Sequence, residues 1–232
     1  MDQLDTYLDV LFDGLTGYVY SPVKTVDKWE THWFEYPNER QRLKDHIASK
    51  FGDVYISPAV YSERRATKDA IKKLATAWVE FDGQERIDFK QVPIPTAIVQ
   101  TSSASHVHCY WRIDPTNQGT VEDTNRRLTY YLGADNTGWD ATQLLRPPGT
   151  VNWKHNLPVF LADHSGGTYE VGSFEFVPEV KSVPVEITDL TELLSLQQVL
   201  KKHSLPLKLL KMIKKEAPER GARSSFLTRL AH

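Results

Sequence analysis

The chain has 232 residues, of which 40% are hydrophobic and 25% charged, a composition that buries a core and excludes disordered, fibrous and collagen-like proteins. Its net charge is −2, but residues 201–232 carry nine basic and two acidic residues, or +7, which leaves −9 for residues 1–200. Such a segment can offer a basic surface to nucleic acid, although an ordinary solvated helix face explains it equally well.

One cysteine, Cys109, excludes an internal disulfide framework and a cysteine-rich zinc site, and it favours an intracellular compartment. The N-terminus has acidic residues where a signal peptide needs basic ones, and no run of 18 apolar residues is present. We therefore expect a soluble, untargeted protein with no membrane partner.

Helical and strand patterns alternate along the first two thirds of the chain. Amphipathic spacing predicts helices over 2–12, 38–50, 68–74 and 117–132. Alternating or continuous apolar runs predict strands over 14–23, 53–57, 76–82, 95–102 and 106–114. The order of these elements indicates an α/β fold.

The segment 133–154 is rich in glycine and aspartate and is predicted as loop and short strand, because Pro147, Pro148 and Gly149 interrupt any ladder. Short strands near Val159 and Phe174 would complete a domain of residues 1–178. Residues 179–187 are predicted as a linker, and 188–232 as a basic helical region. The chain stops inside an apolar helical pattern, which suggests that it is cut from a longer protein.

Glu80 and Asp82 lie two residues apart on a predicted strand, so both side chains point to one face while Val79 and Phe81 point to the other. The two carboxylates would be about 6 to 7 Å apart, which suits two cations about 4 Å apart. Hard cations such as Mg²⁺ and Mn²⁺ prefer oxygen ligands. The pair predicts a divalent-metal site, and a solvated acidic pair is the alternative.

Small polar residues lead into a strand whose alternation puts His106, His108 and Tyr110 on one face. The histidines can bind a metal, or one can donate a hydrogen bond to a phosphate while the preceding residues bring backbone N–H groups close. Histidines that are merely packed or exposed are the alternative.

A third cluster combines an acid, Asp140, with the basic residues Arg146 and Lys154 in an irregular segment. Arginine offers a planar fork to a phosphate and lysine a mobile point charge, so the cluster could hold a cation and a polyphosphate together. A structural turn with solvated charges is the alternative.

The three clusters together predict a nucleotidyl-transfer site. Two metal ions would activate a 3′-hydroxyl and stabilise the leaving pyrophosphate, and the histidine, arginine and lysine would neutralise the triphosphate. This prediction requires Glu80, Asp82 and Asp140 to converge in the folded chain.

These motifs resemble the archaeo-eukaryotic primase superfamily, most closely the primase-polymerase domains of plasmid and phage replication proteins of the RepB-like type. Residues 50–160 carry a D/E-x-D/E strand, a strand of the form S-S-x-x-x-x-H-x-Y-W, and an acid ahead of L-R-x-P-G-x-x-N-x-K. The matching residues are Glu80, Asp82, Ser102, Ser103, His108, Tyr110, Trp111, Asp140, Leu145, Arg146, Pro148, Gly149, Asn152 and Lys154.

The resemblance implies roles for these residues. Glu80, Asp82 and Asp140 would be catalytic metal ligands for two Mg²⁺ or Mn²⁺ ions. A nucleoside triphosphate, NTP or dNTP, would be bound by Ser103, His106, His108, Arg146, Asn152 and Lys154, with the role of His106 left open. The implied fold is an RRM-like, antiparallel-rich α/β sheet with an N-terminal α/β unit, followed by a small helical C-terminal region.

The resemblance further implies a single-stranded DNA template, a cytoplasmic setting in a bacterial, archaeal or phage-infected cell, and a helicase region in the full-length chain. Arg64, Arg65 and Lys68 precede the first acidic strand and are predicted to line a template groove through sequence-independent attraction. A solvated turn explains them equally well.

Two other classes of function remain open. A replication-initiation nuclease of the HUH type would use His106 and His108 with Tyr130 or Tyr131 as nucleophile, but it leaves the acids unexplained. A non-catalytic RRM-like module would stack bases on strand aromatics such as Tyr110. A covalent tyrosine–DNA adduct would identify the first, and metal-independent binding of single strands would favour the second.

Overall fold

A computed structural model describes residues 2–83, 89–90 and 92–180 of the chain. Residues 1–181 form one compact unit, and the predicted linker beyond residue 180 and the basic region 188–232 lie outside the described residues. In chain order the elements are α1 (Gln3–Phe12), β1 (Gly17–Tyr20), β2 (Val23–Lys24), β3 (Trp29–Glu30), β4 (Trp33–Tyr36), α2 (Arg40–Ser49), β5 (Asp53–Val54), β6 (Val60–Tyr61), β7 (Ile71–Asp82), β8 (Ala97–Gln100), β9 (His106–Thr116), α3 (Gln118–Leu132), β10 (Val151–Asn152), β11 (Leu157–Pro158), β12 (Phe160–His164) and β13 (Thr168–Tyr169).

A sheet of eight strands forms the centre of the unit, in the order β12-β8-β9-β7-β6-β1-β4, with β13 paired to β9. All pairs along this path are antiparallel, and only β13 runs parallel to its neighbour. In the long β7–β9 pair Glu80 lies opposite His108, and Asp82 opposite His106. The register therefore brings the acidic strand and the histidine strand side by side on one face.

The two faces of the β7–β9 pair differ in what covers them. On the face without the acids, Trp111 is fully buried and its ring meets that of Phe174 in a short 3₁₀ helix, Val171–Phe174. On the other face α1 covers the pair next to Glu80 and His108, where Tyr7 packs edge-on against Tyr110. That packing leaves the end of the face with the acids open for a site.

Two small sheets flank the large one: β3-β2-β5, and β10 with β11. An isolated bridge pairs Ile56 with Leu145, and the β10 strand contacts β5. Because of these contacts the segment 53–56 lies beside the segment 145–152, so the arginine and lysine of the third motif approach the sheet.

The predicted α/β, antiparallel-rich fold is confirmed, as are the helices expected over 2–12, 38–50 and 117–132. The helix expected over 68–74 is wrong. Only Lys68–Ala70 is helical, as a 3₁₀ turn, and β7 already begins at Ile71 because it pairs with β6 there. The strand expected near Phe174 is also wrong, since that residue belongs to the second 3₁₀ helix.

Within the described part of the chain, none of the helices is both long and apolar enough to cross a bilayer. Cys109 is a free, buried thiol in β9.

Candidate active site

A cavity of about 140 Å³ opens at the end of the β7–β9 pair. Acidic side chains line one part of it and basic ones another. The lining residues that bear on chemistry are Glu80, Asp82, His106, His108, Asp135, Arg146, Asn152 and Lys154. Seven of these eight are residues that the sequence predicted, and Asp135 is not.

Each carboxylate of the acidic strand faces the histidine opposite it. His106 Nε2 lies 2.6 Å from Asp82 Oδ1, and His108 Nε2 lies 3.4 Å from Glu80 Oε2. The Ser103 hydroxyl is 2.7 Å from His106 Nδ1, so this serine orients the histidine ring without itself lining the cavity. The role left open for His106 is thus a contact with Asp82.

Glu80 is the most constrained acid of the cavity. Burial raises its pKa to about 7, and the nearby charge of Asp135 adds to the effect, although Gln143 opposes it by donating from Nε2 to Oε1 at 2.6 Å. A Cβ on Gly138 would come within 2.7 Å of Glu80 Oε1, so only glycine leaves room for this carboxylate. A buried carboxylate held at a fixed position is suited to receive a cation.

His108 is neutral, because burial lowers its pKa to about 3 and the charge of Arg146 lowers it further. Its Nε2 faces an acceptor, the Glu80 carboxylate, so the single N–H of the neutral ring belongs on Nε2. Nδ1 then accepts from the Tyr110 hydroxyl at 3.3 Å, and Tyr110 lies 3.2 Å from the Tyr7 hydroxyl. This buried chain of contacts keeps a hydrogen-bond donor pointed at the cavity.

The basic side of the cavity contains Arg146 and Lys154. Arg146 Nη2 donates to Asp53 Oδ1 at 3.0 Å and to the Tyr55 hydroxyl at 2.9 Å, which fixes the guanidinium. Two buried polar atoms at this cavity, Arg146 Nε and Asn152 Oδ1, have no hydrogen-bond partner among the described residues. An unpartnered donor and an unpartnered acceptor at one polar cavity are available to a ligand or to water.

Asp140 does not line the cavity. Its Oδ2 lies 2.6 Å from Lys68 Nζ and its Oδ1 accepts from the backbone and hydroxyl of Thr142. Burial acts to raise the pKa of Asp140, but these bonds outweigh it, so the net shift is downward. Asp135 does line the cavity, and its backbone N–H donates to Glu80 O at 2.9 Å. The metal-ligand role expected of Asp140 stays a prediction.

Comparisons with solved structures give the fold. The AEP domain of the cyanophage S-2L primase-polymerase matches with a TM-score of 0.60 and 15% identity, over 76% of this chain and 96% of that domain. The primase RepB′ matches with a TM-score of 0.54 and 18% identity, over 72% and 57%. The catalytic domain of RepB′ in complex with initiator DNA matches with a TM-score of 0.53 and 19% identity, over 72% and 85%.

The chain has the primase-polymerase fold. Among curated proteins, a replication protein of Clostridium perfringens is 25% identical over 201 residues, which cover 75% of this chain and 47% of that protein. The chain thus spans about half the length of that relative. No family model matches the chain.

The acidic side chains that line the cavity are suited to bind a divalent metal ion. Three carboxylates, Glu80, Asp82 and Asp135, line one cavity, and within the described part of the chain neither oxygen of the buried Glu80 has a cationic hydrogen-bond partner when His108 is neutral. Within the described ranges, no three acids, histidines or cysteines stand close enough to hold one ion as their side chains are placed. Ion binding would therefore draw the carboxylates together, with Asp82 leaving His106.

The residues predicted to line a template groove lie outside the cavity and already have partners. Arg65 is paired with Glu63 and Asp69, and Lys68 with Glu122 and Asp140. The Arg64 guanidinium lies over the Tyr18 ring, 5.3 Å from its centroid. DNA binding at this surface stays a prediction, and only rearranged ion pairs would free Arg65 and Lys68 for it.

The positions of the tyrosines bear on both alternative functions, the HUH-type nuclease and the non-catalytic RRM-like module. Tyr110 is fully buried, so it cannot stack a base, and the expectation of a stacking surface at this residue is wrong. Tyr130 and Tyr131 lie on α3 and neither lines the cavity that holds the two histidines. A tyrosine nucleophile next to the histidines, which the nuclease needs, is therefore not found among the cavity residues.

Proposed function

We propose that the chain is a template-dependent nucleotidyltransferase, a DNA primase, DNA polymerase or both, that acts on single-stranded DNA. The observation that supports this most is the division of one cavity into a carboxylate side, Glu80, Asp82 and Asp135, and a phosphate-binding side, Arg146 and Lys154. Joining nucleotides needs both, because divalent cations and a triphosphate must meet at one point.

Glu80, Asp82 and Asp135 would hold the divalent ions. The chemistry supplied by bound Mg²⁺ or Mn²⁺ would be activation of the attacking hydroxyl and neutralisation of the leaving pyrophosphate. Gln143 positions Glu80 by its hydrogen bond to Oε1, and Gly138 leaves the space that the carboxylate occupies. These two residues support the site without touching the nucleotide.

The triphosphate would be bound by the charges of Arg146 and Lys154, and by the neutral His108, whose Nε2–H would turn from the Glu80 carboxylate to a phosphate oxygen. Arg146 still has its Nε unpartnered within the described part of the chain, and Lys154 Nζ has no ion pair there, so both are available to phosphate oxygens. Asn152 donates to Thr101 O, and its Oδ1 would accept from a hydroxyl or amino group of the nucleotide, since an amide oxygen cannot donate to a phosphate. Ser103 would orient His106 through its hydrogen bond to Nδ1, and His106 would in turn contact Asp82 beside the triphosphate.

Nucleotide incorporation tests the proposal directly. The protein is incubated with single-stranded DNA, labelled NTPs or dNTPs, and Mg²⁺ or Mn²⁺, with and without a primer. We expect products that require the metal and that disappear in D82N, whose side chain keeps its size and loses its charge. H108A should retain incorporation with a raised KM for the nucleotide.

Two results would contradict the proposal. One is full activity of a folded D82N variant. The other is a covalent adduct between a tyrosine of the chain and DNA, which the nuclease mechanism forms and a polymerase never does. Equal binding of single strands with and without metal, without any incorporation, would instead indicate the non-catalytic module.

A further inference from the structure

Two large aromatic side chains, Phe51 and Trp153, lie exposed and together, and Trp153 stands in the chain between Asn152 and Lys154, which line the cavity. Phe51 is 75% exposed and Trp153 is 40% exposed, and their ring centroids are 4.3 Å apart with a tilt of 52°. The two residues are far apart in sequence and meet because β10 contacts β5. Aromatic rings of this size bury much apolar surface when they find a partner, so an exposed pair beside residues that line a polar cavity is available to stack on a planar ligand.

The pair is anchored to the same group that fixes the phosphate-binding arginine. The backbone N–H of Trp153 donates to Asp53 Oδ1 at 3.1 Å, and that oxygen also accepts from Arg146 Nη2 at 3.0 Å. The backbone of Trp153 and the Arg146 guanidinium are thereby held by the same carboxylate oxygen. If a nucleotide places its phosphate against Arg146, its base can reach these rings.

Positive charge accompanies both rings. Lys50 precedes Phe51, and Lys154, which lines the cavity, follows Trp153. The nearby acids already have partners: Asp53 binds Arg146, and Glu30 binds Lys28 and lies 4.0 Å from Lys50. Exposed aromatic faces beside lysines match nucleic acid, in which planar bases alternate with phosphates; of the two lysines, Lys50 is paired with Glu30, and Lys154 has no ion pair among the described residues.

We propose that Phe51 and Trp153 form a stacking platform for a nucleobase at the entrance of the cavity. The proposal deepens the proposed function, because it assigns the base-binding surface of that same site. The base belongs either to the nucleoside triphosphate in the cavity or to the single strand that enters it. The chemistry is the same in both cases, a π face beside a phosphate, and the experiment separates the two sources.

Binding measurements on the full chain test the platform without any need for catalysis. The probes are a short oligothymidylate, the same strand with abasic positions, and a nucleoside triphosphate with Mg²⁺. For F51A and W153A we expect affinity to fall about tenfold or more for the probe that stacks. W153F keeps a ring and should retain most of the affinity. Loss of affinity for the oligothymidylate shows that the stacked base belongs to the single strand, and loss of affinity for the triphosphate shows that it belongs to the nucleotide.

The chain offers a matched control in a second exposed aromatic pair, Tyr131 with Phe176, whose centroids are 6.5 Å apart. No chain neighbour of either ring lines the cavity, whereas Asn152 and Lys154 on the two sides of Trp153 do. Phe176 is 54% exposed, so F176A removes a comparable ring and should leave affinity unchanged. Abasic positions should weaken binding to the wild type and have little effect on W153A, since W153A has already lost the stacking contact.

Unchanged affinity of both F51A and W153A for the strand and for the triphosphate would overturn the platform. The same applies if W153F loses as much as W153A, or if F176A loses as much as F51A. Failure of the proposed function looks different. If the wild-type protein binds oligothymidylate through these rings yet incorporates no nucleotide, the stacking platform is supported and the proposed polymerase function is contradicted.

Discussion

At the scale of single residues, Asp135 and Asp140 share one irregular segment and meet different groups. Asp135 lines the cavity, while Asp140 is paired with Lys68 at 2.6 Å. We expect D135N to reduce nucleotide incorporation about 100-fold, because an amide cannot replace a charged metal ligand. D140N should retain activity within about twofold and lose at most about 1 kcal/mol of stability, since its ion pair is partly exposed.

Steady-state kinetics and urea unfolding of the two variants check this prediction. If D140N loses incorporation and D135N keeps it, Asp140 is the third ligand, as the motif spacing predicts.

The sequence could not decide between these two acids. Motif order required one acid after the histidine strand and before Arg146, and both satisfy it. The choice depends on the path of the loop after α3, which is set by a backbone hydrogen bond from Asp135 to Glu80 O. The contact of Gln143 with Glu80 was not predicted either, because an isolated glutamine carries no motif. Glu80 and Asp82 were predictable, since strand alternation alone fixes their common face.

Gly138 offers a second test of the acidic side. In G138A the new methyl group would meet the Glu80 carboxylate at 2.7 Å, and Glu80 is buried and held by Gln143, so it cannot swing away freely. We expect incorporation to fall about tenfold or more, as small displacements of reacting groups do. The measurement is kcat for primer extension, with circular dichroism to verify the fold.

Gly119 supplies the matched control for this change. It lies in the first turn of α3, and a Cβ there has only Asn117 Oδ1 at 3.4 Å as a neighbour. G119A should keep full activity and be slightly more stable, because alanine favours a helix. Wild-type kcat in G138A would contradict the close approach of Gly138 to Glu80.

At the scale of elements, hydrophobic periodicity was sufficient to predict those helices and strands whose sequences have a clear pattern. The buried alternation of β9 and the amphipathic α1 and α3 follow from their sequences. Residues 68–74 have good helix formers, but pairing of Val60 and Tyr61 with β7 overrides that preference. The short strands β3 and β4 were missed because residues 29–36 show little alternation. β3 forms a hairpin with β2, and β4 gains its strand structure by pairing with β1.

The contact between α2 and the sheet predicts how stability depends on pH. His46 of α2 is buried against Phe34 and His32, its Nε2 lies 3.1 Å from Ser21 O, and burial lowers its pKa to about 4. The unfolded chain binds this proton near pH 6.5, so the stability that neutral His46 provides is complete above that pH and is lost as the pH falls toward 4. We expect His46 alone to cost about 2 kcal/mol at about pH 5.

H46Q isolates this contribution, because glutamine can still donate to Ser21 O and does not titrate. Urea unfolding at about pH 7.5 and about pH 5 should show a loss of stability in H46Q that is smaller than in the wild type by about 2 kcal/mol. His108 has a lowered pKa as well and will keep some acid sensitivity in the variant. Equal losses in the two proteins would contradict the burial of His46.

At the scale of the whole molecule, charge is distributed unevenly along the chain. Residues 201–232 carry +7 and residues 1–200 carry −9. We expect that deleting residues 182–232, beyond the compact unit, spares primer extension and weakens initiation and binding to single-stranded DNA. The slope of affinity against salt concentration should also become shallower, because fewer phosphates are neutralised. Unchanged initiation and an unchanged slope would show that the segment does not engage the template.

The position of the metal ions tests the central claim most directly. Crystals soaked with Mn²⁺ and a non-hydrolysable nucleoside triphosphate would reveal the ions by their anomalous scattering. We predict peaks among Glu80, Asp82 and Asp135, with the triphosphate against Arg146 and Lys154. Peaks at Asp140 and Glu122, or a nucleotide bound away from this cavity, would contradict the account.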